Sequence, residues 1–232
     1  MIESNSVSLR WVQQSNDDDS KKQIIMDKVY LNIPPLSNDN IANNIVSVIR
    51  NKGICLDFLN GIVHLSELEQ MIFGYVTNYR GTAEERQQIF HLIQIWGGRT
   101  GRHIYRPRKC PFNWNIIDEH YSTFIHNVSL ITGCSYNDFI QARDACIDFK
   151  QSVGNIGIGY SFITKHLRFW SFPNLKANIF PPYDSKAATQ YMQHTRYIVK
   201  DLVSYWQRIY REAFEQGLSV SVYERNLFNS FQ

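Results

Sequence analysis

The stretch Val153-Gly154-Asn155-Ile156-Gly157-Ile158-Gly159-Tyr160-Ser161 constrains this chain more than any other. Its glycines allow a tight reversal and close approach of another molecule to the backbone. A helical apolar pattern precedes it: Ser135 stands as a capping residue, and Phe139, Ile140, Cys146 and Phe149 follow at helical spacing. A second helical pattern comes after it, Ser161-Phe162-Ile163-Thr164-Lys165-His166-Leu167-Arg168-Phe169-Trp170. Ile156 to Gly159 read apolar-Gly-apolar-Gly, the spacing of a helix-hairpin-helix turn. The second helix of such a turn starts with N–H groups aimed outward, and these bind a phosphate oxygen without base preference. The same glycines also fit an ordinary turn between helices.

Elsewhere helix signals dominate, and strand alternation is nowhere sustained, so the fold class is mainly α. Ile41, Ile45, Val48 and Ile49 share a helical face that ends near Gly53. Ser66 with Glu69, and Thr82 with Glu85, have capping-box spacing. The second of these helices should run to Trp96 and stop at Gly97-Gly98. Another spans about Ile116 to Leu130. Apolar residues from Ala188 to Ala213 predict one long helix or two between Ser185 and Gln216, and Tyr223, Leu227 and Phe228 belong to a last short one. Residues 1–22 are polar and read as a tail, with Val29 to Ile33 extended before Pro34-Pro35. Residues 23–232 would form the helical domain.

The chain is 232 residues long, 44% apolar and 19% charged, enough for a large packed core and unlike a disordered chain. Aromatics at 14% fill a core, or stack on bases where a cleft exposes them. A net charge of +3 decides little about partners, but its placement matters: Arg80, Arg86, Arg99, Arg102, Arg106, Arg108 and Lys109 crowd one segment. There the run Trp96 to Lys109 reads as a basic loop that clamps phosphates, or as a solvated loop. Cys55, Cys110, Cys134 and Cys146 form no CxxC pair, which argues against a zinc ribbon or iron–sulfur cluster and for buried free thiols. No long apolar run or leader pattern stands out, so a reduced, cytoplasmic setting without membrane is expected.

Lys165 sits early in the second hairpin helix, and Asp184 follows it by 19 positions within Phe180-Pro181-Pro182-Tyr183-Asp184-Ser185. Asp184 after two prolines fits a helix N-cap, which also holds a carboxylate rigidly. Gly157-Ile158-Gly159, Ser161-Phe162, Thr164-Lys165, Phe169 and Tyr183-Asp184 together resemble the 8-oxoguanine DNA glycosylase-like family of the helix-hairpin-helix glycosylase superfamily. Val222-Tyr223-Glu224-Arg225-Asn226-Leu227-Phe228 looks like that family's closing pattern. The likeness covers roughly residues 90–232.

The resemblance implies two helical lobes around a cleft for double-stranded DNA holding a modified base. It implies a catalytic carboxylate at Asp184 and, in lyase members, a lysine nucleophile, for which Lys165 is the candidate. Gly157, Gly159 and Ser161 would meet a phosphate, and Arg99, Arg102 and Arg106 of the basic loop are further candidates to contact DNA. Tyr183 and Trp170 are base-pocket candidates only because they adjoin Lys165 and Asp184; packing in the core is the favoured fate of either. The superfamily's hairpin carbonyls hold a monovalent cation in some members; no side chain here marks a metal site. Two departures stand out. Asn155-Ile156-Gly157 replaces the usual Leu-Pro-Gly, and Ser161 occupies the usual lysine position, one helical turn before Lys165. They point to a specialised pocket, with glucosylated hydroxymethylcytosine of phage DNA as the favoured substrate in bacterial anti-phage defence and 8-oxoguanine as the alternative. Two rivals remain. Arg86 and His91 have the Arg-x4-His spacing of HEPN-type RNases, and the hairpin alone suits a DNA-binding module that catalyses nothing.

Overall fold

The computed structural model describes residue 49 and residues 65–105, 112–154, 156–194 and 199–229. Every element in them is helical: α1 (Leu65–Thr77), α2 (Ala83–Trp96), 3-10 turns (Gly98–Tyr105), α3 (Trp114–Ser129), α4 (Tyr136–Val153), α5 (Tyr160–Leu175), a π turn (Ala187–Tyr191), a 3-10 turn (Val199–Asp201), α6 (Leu202–Glu215) and α7 (Val220–Asn229). No described helix is long and apolar enough to cross a membrane. The expected tail, the extended stretch before Pro34 and the first helix lie outside the described residues, except for Ile49, which is helical and buried.

Local hydrogen bonding explains most boundaries. Thr82 Oγ accepts from Glu85 N at 3.1 Å while the Glu85 carboxylate accepts from Thr82 N, the reciprocal box expected there. The helix it opens ends at Gly97, and Gly98 turns away with φ 75°. Ser135 and Asp138 make the same box for α4. The expected box at Ser66 is a correction: Ser66 lies inside α1, and Glu69 is buried in an ion pair with Arg168.

Helix α5 is the centre of the bundle and packs against α1, α2, α3 and α4. Its run from Phe162 to Trp170 is buried except at Lys165, as expected of a helix that is apolar nearly all round. Phe73 of α1, Trp96 of α2 and Tyr121 of α3 bring rings against Phe169 and Trp170. At roughly 25 cal/mol per Å² of buried apolar area, side chains of this size stabilise the fold by about 1.5–3 kcal/mol each. A polar chain crosses this core: Trp170 Nε1 donates to Tyr121 Oη at 2.6 Å, Tyr121 Oη meets His166 Nδ1 at 2.7 Å, and His166 Nε2 meets the Gln94 amide at 2.9 Å. If the Tyr121 hydroxyl donates to Nδ1, the His166 Nε2–H needs an acceptor, so Gln94 must turn its oxygen toward the ring.

Of the one long helix or two expected between Ser185 and Gln216, two separate helical stretches form. A π turn ends at Tyr191, Gln193 takes φ 57°, and His194 N closes back on Ala188 O at 2.8 Å. α6 begins only at Leu202, ends near Gly217, and α7 follows as expected.

Candidate active site at the glycine turn

α4 ends at Gly154, whose φ of 57° is one that glycine adopts without strain. Gly157 takes φ 89°, while Ile158 between the glycines is buried and anchors the turn to the core. α5 then starts after Gly159, an exposed N-cap with no side-chain cap bond. A Cβ at Gly159 would meet nothing within 4 Å, so the approach to this helix start is open. That leaves the first N–H groups of α5 suited to an anion. Lys150 Nζ donates to Gly154 O at 2.6 Å, which puts an ammonium on the hairpin's first carbonyl.

Helical side chains lean toward the N-terminus of their helix. Lys165 follows this rule: its Nζ lies 3.5 Å from Ser161 Oγ and 4.3 Å from the centre of the Phe162 ring. The amine therefore reaches back one turn, to the position of Ser161. Burial pushes the Lys165 pKa down, against the charges of Asp184 and Glu224, which favour the ammonium.

Asp184 is held by what precedes it. Tyr183 N donates to Thr164 Oγ at 3.0 Å, Tyr205 Oη donates to Pro182 O at 3.1 Å, and Trp206 Nε1 donates to Pro181 O at 3.0 Å. Three side chains from α5 and α6 thus fix residues 181–183, next to Lys165 in the helix. Asp184 Oδ1 then accepts from Ala187 N at 3.0 Å, so the aspartate caps the π turn as expected.

Glycines also dock the basic segment. A Cβ on Gly97 would fall 2.3 Å from Phe162 Cε1 and 3.2 Å from Lys165 Cδ, and one on Gly101 would fall 2.1 Å from Gln94 O. Only glycine lets the Gly98–Tyr105 segment lie this close to α2 and the start of α5. The part of the expected loop over Gly98–Tyr105 is therefore a 3-10 helical stretch at the Lys165 face. Arg99 and Arg102 are on that segment, with side chains outside the described set, and Arg106 lies outside the described residues.

Tyr183 and Trp170 take the core fate rather than that of an open base pocket. Tyr183 is 0% exposed and packs its ring 4.7 Å from that of Tyr205; Trp170 is 4% exposed and sits edge-on to Tyr79 and Tyr121. Both are core residues, packed among rings of α3 and α6 and Tyr79. Arg86 and His91 are not brought together. Arg86 pairs with both oxygens of Asp118 at 2.7 Å and also donates to Tyr79 Oη. His91 is fully buried against Tyr105 Oη, and burial lowers its pKa to about 3. Five helical residues separate their directions by about 140°.

Sequence spacing gave no place to the charged cluster behind Lys165. Arg168 donates to Glu69 of α1 and Glu224 of α7, each at 2.7 Å, with all three side chains buried or nearly so. Its guanidinium also lies 5.5 Å from the Trp96 ring. A charged residue amid Leu167, Phe169 and Trp170 was the available signal, since a buried guanidinium needs carboxylate partners. Thr164, Tyr205 and Trp206 were missed too, and only their tertiary contacts give them a role.

No protein-family model, no curated protein and no solved structure matches this chain.

Proposed function

We propose that this chain is a DNA N-glycosylase that extrudes a modified base from the duplex and breaks its bond to the sugar. One observation carries the reading: Asp184 is fixed by capping and by the pinned 181–183 segment, and its charge bears on a half-buried lysine whose amine leans to the uncapped helix start. In this reading the turn at Gly157 and Gly159, with Ser161, takes a backbone phosphate through main-chain N–H groups. Arg99, Arg102 and Arg106 add charge along the same strand, and binding weakens steeply with salt. The resemblance to two-lobed helix-hairpin-helix glycosylases, carried by residues 153–190 and 222–228, points the same way.

The chemistry follows from the residue types. A base must leave the stack before an enzyme can reach its glycosidic bond. As that bond breaks, the base departs with the electron pair and positive charge builds on the sugar. A fixed carboxylate at Asp184 stabilises that charge. The nucleophile is either water, deprotonated at Asp184, or the neutral amine of Lys165, which bonds to C1′ as the base leaves; loss of a proton from nitrogen and opening of the C1′–O4′ bond then give an imine, which opens the way to strand cleavage. An ordinary lysine is only about one part in a few thousand neutral at pH 7; burial of Lys165 raises that fraction. Glucosylated hydroxymethylcytosine is the substrate we favour, in bacterial anti-phage defence, over 8-oxoguanine, because the hairpin and the lysine position depart from the housekeeping pattern.

The test is release of free base, read by mass spectrometry, from duplexes holding 8-oxoguanine or uracil and from phage DNA holding glucosylated hydroxymethylcytosine. Release from one substrate names the activity and its base. Salt-sensitive binding with no release from any would leave a passive DNA-binding module and reject the enzyme. An RNase reading through Arg86 and His91 finds no support in a paired arginine and a fully buried, neutral histidine.

A further inference from the structure

We propose that Tyr191 is a positioning residue for Asp184: Glu212 and Arg208 of α6 hold the last residue of the π turn, and the turn carries that hold to the carboxylate at its start. The proposal rests on the reading of Asp184 as the catalytic carboxylate and deepens it. A π turn is rare, and such turns are found mostly singly and often at functional sites. Here its exit is bonded to its entrance. Met192 N donates to Ala187 O at 3.0 Å, and Ala187 N donates to Asp184 Oδ1 at 3.0 Å. A shift at residues 191–192 therefore reaches the bond that fixes the aspartate.

The exit is held from α6 by side chain and main chain alike. Tyr191 is buried, and its hydroxyl donates to Glu212 Oε2 at 2.6 Å. Arg208, one turn before Glu212, donates Nε to Glu212 Oε1 at 2.9 Å and an outer nitrogen to Tyr191 O at 3.2 Å. Its guanidinium also lies 4.3 Å from the centre of the Tyr191 ring. Bonds to ionised groups such as these are about twice as strong as neutral ones. Tyr223 of α7 donates to the same Glu212 oxygen at 2.6 Å, from a helix outside the turn. Burial pushes the Glu212 carboxyl up, and the two hydroxyls with Arg208 outweigh it, so the carboxylate stays ionised and accepting. A second link joins Tyr191 to the aspartate. Its ring stands edge-on to that of Tyr205 at 5.8 Å, and Tyr205 Oη donates to Pro182 O, two residues before Asp184.

Two readouts test this on the full chain: amide hydrogen exchange by NMR without DNA, and the rate of base release. The Ala187 amide reports on Asp184 directly, because it donates to that carboxylate. Tyr191→Phe keeps the ring and removes the hydroxyl. Protection at Ala187 should then fall relative to the amide of Leu167 in α5, which reads global opening. The kcat for base release should fall by about 10- to 100-fold, the scale on which a small misplacement of a reacting group acts, with duplex affinity unchanged. Tyr223→Phe takes an equal hydroxyl from the same Glu212 oxygen and should leave Ala187 and release close to those of the unaltered protein. Equal effects of the two substitutions, or no loss at Ala187 in Tyr191→Phe, would overturn the proposal and leave the cluster an ordinary tie between helices. Should Tyr191→Phe fail to fold, Glu212→Gln keeps both rings and removes the charge; it must lower protection at Ala187, or the proposal fails. Protection lost at Ala187 in a protein that releases no base would keep the hold on the turn of Asp184 and end the glycosylase reading. Undiminished release by Tyr191→Phe, with that protection lost, would end the proposal and keep the glycosylase.

Discussion

Acidification should destabilise this protein well above the range where its carboxylates titrate, because two histidines are buried neutral. His91 and His166 lie in the core, one against Tyr105 and the other between Tyr121 and Gln94, and burial lowers each pKa from 6.5 to about 3. A depressed folded-state pKa means that the unfolded chain takes up the proton first. The stability these groups hold is complete above pH 6.5 and is lost as pH falls from there toward 3. Each histidine then costs about 1.4 kcal/mol per pH unit. At pH 5.0 the loss is about 2 kcal/mol for each and about 4 kcal/mol for the pair, a large share of a typical 5–15 kcal/mol. Glu224, raised by burial, offsets part of it. Urea unfolding followed by circular dichroism at pH 7.5, 6.5, 5.5 and 5.0 reads the slope. His91→Phe keeps the ring and removes one titrating group, so its slope should fall to about half even if its absolute stability drops. A flat stability between pH 7.5 and 5.0, or an unchanged slope in His91→Phe, would refute the reasoning.

Other substitutions test the parts of the site. Gly97→Ala drives a methyl into Phe162 beside Lys165; overpacking of this kind costs about 1–3 kcal/mol, and a thermal melt should fall accordingly. Thr164→Val keeps the shape but deprives the buried Tyr183 N–H of its acceptor. A loss of about 1–3 kcal/mol is expected, together with slower base release, because the segment leading to Asp184 is loosened. Arg168→Leu strands Glu69 and Glu224 in the core and should cost about 3–5 kcal/mol in urea unfolding, with part of the loss recovered in Arg168→Leu combined with Glu69→Gln.

Features set by neighbours along the chain are legible in the residues alone. The box at Thr82, the helix start at Ser135, the stop at Gly97-Gly98, the turn at Gly154 to Gly159 and the last helix all depend on bonds that span a few residues. Asp184 as a cap belongs with them. The failures are tertiary. Glu69 has the spacing of a capping partner for Ser66, yet its bond runs to Arg168, 99 positions away. Apolar spacing from Ala188 to Ala213 leaves one helix or two open, and nothing in it places the break at the left-handed Gln193 and the closure of His194 on Ala188. Tyr183 and Trp170 adjoin the site in sequence, but neighbours along a chain point in different directions, and both turn inward. The pinning of residues 181–183 by Thr164, Tyr205 and Trp206 needed three elements to meet.

The central claim is that the carboxylate of Asp184 drives excision of a base. Asp184→Asn keeps an oxygen to accept from Ala187 N, so the turn and the fold should survive, as a matched thermal melt would show. The decisive measurement compares that variant with the unaltered protein in release of free base from the substrate on which the latter acts. The account predicts equal duplex binding and a loss of release of at least about 100-fold, the scale expected when a positioned catalytic group is removed. Release at an undiminished rate by Asp184→Asn would contradict it.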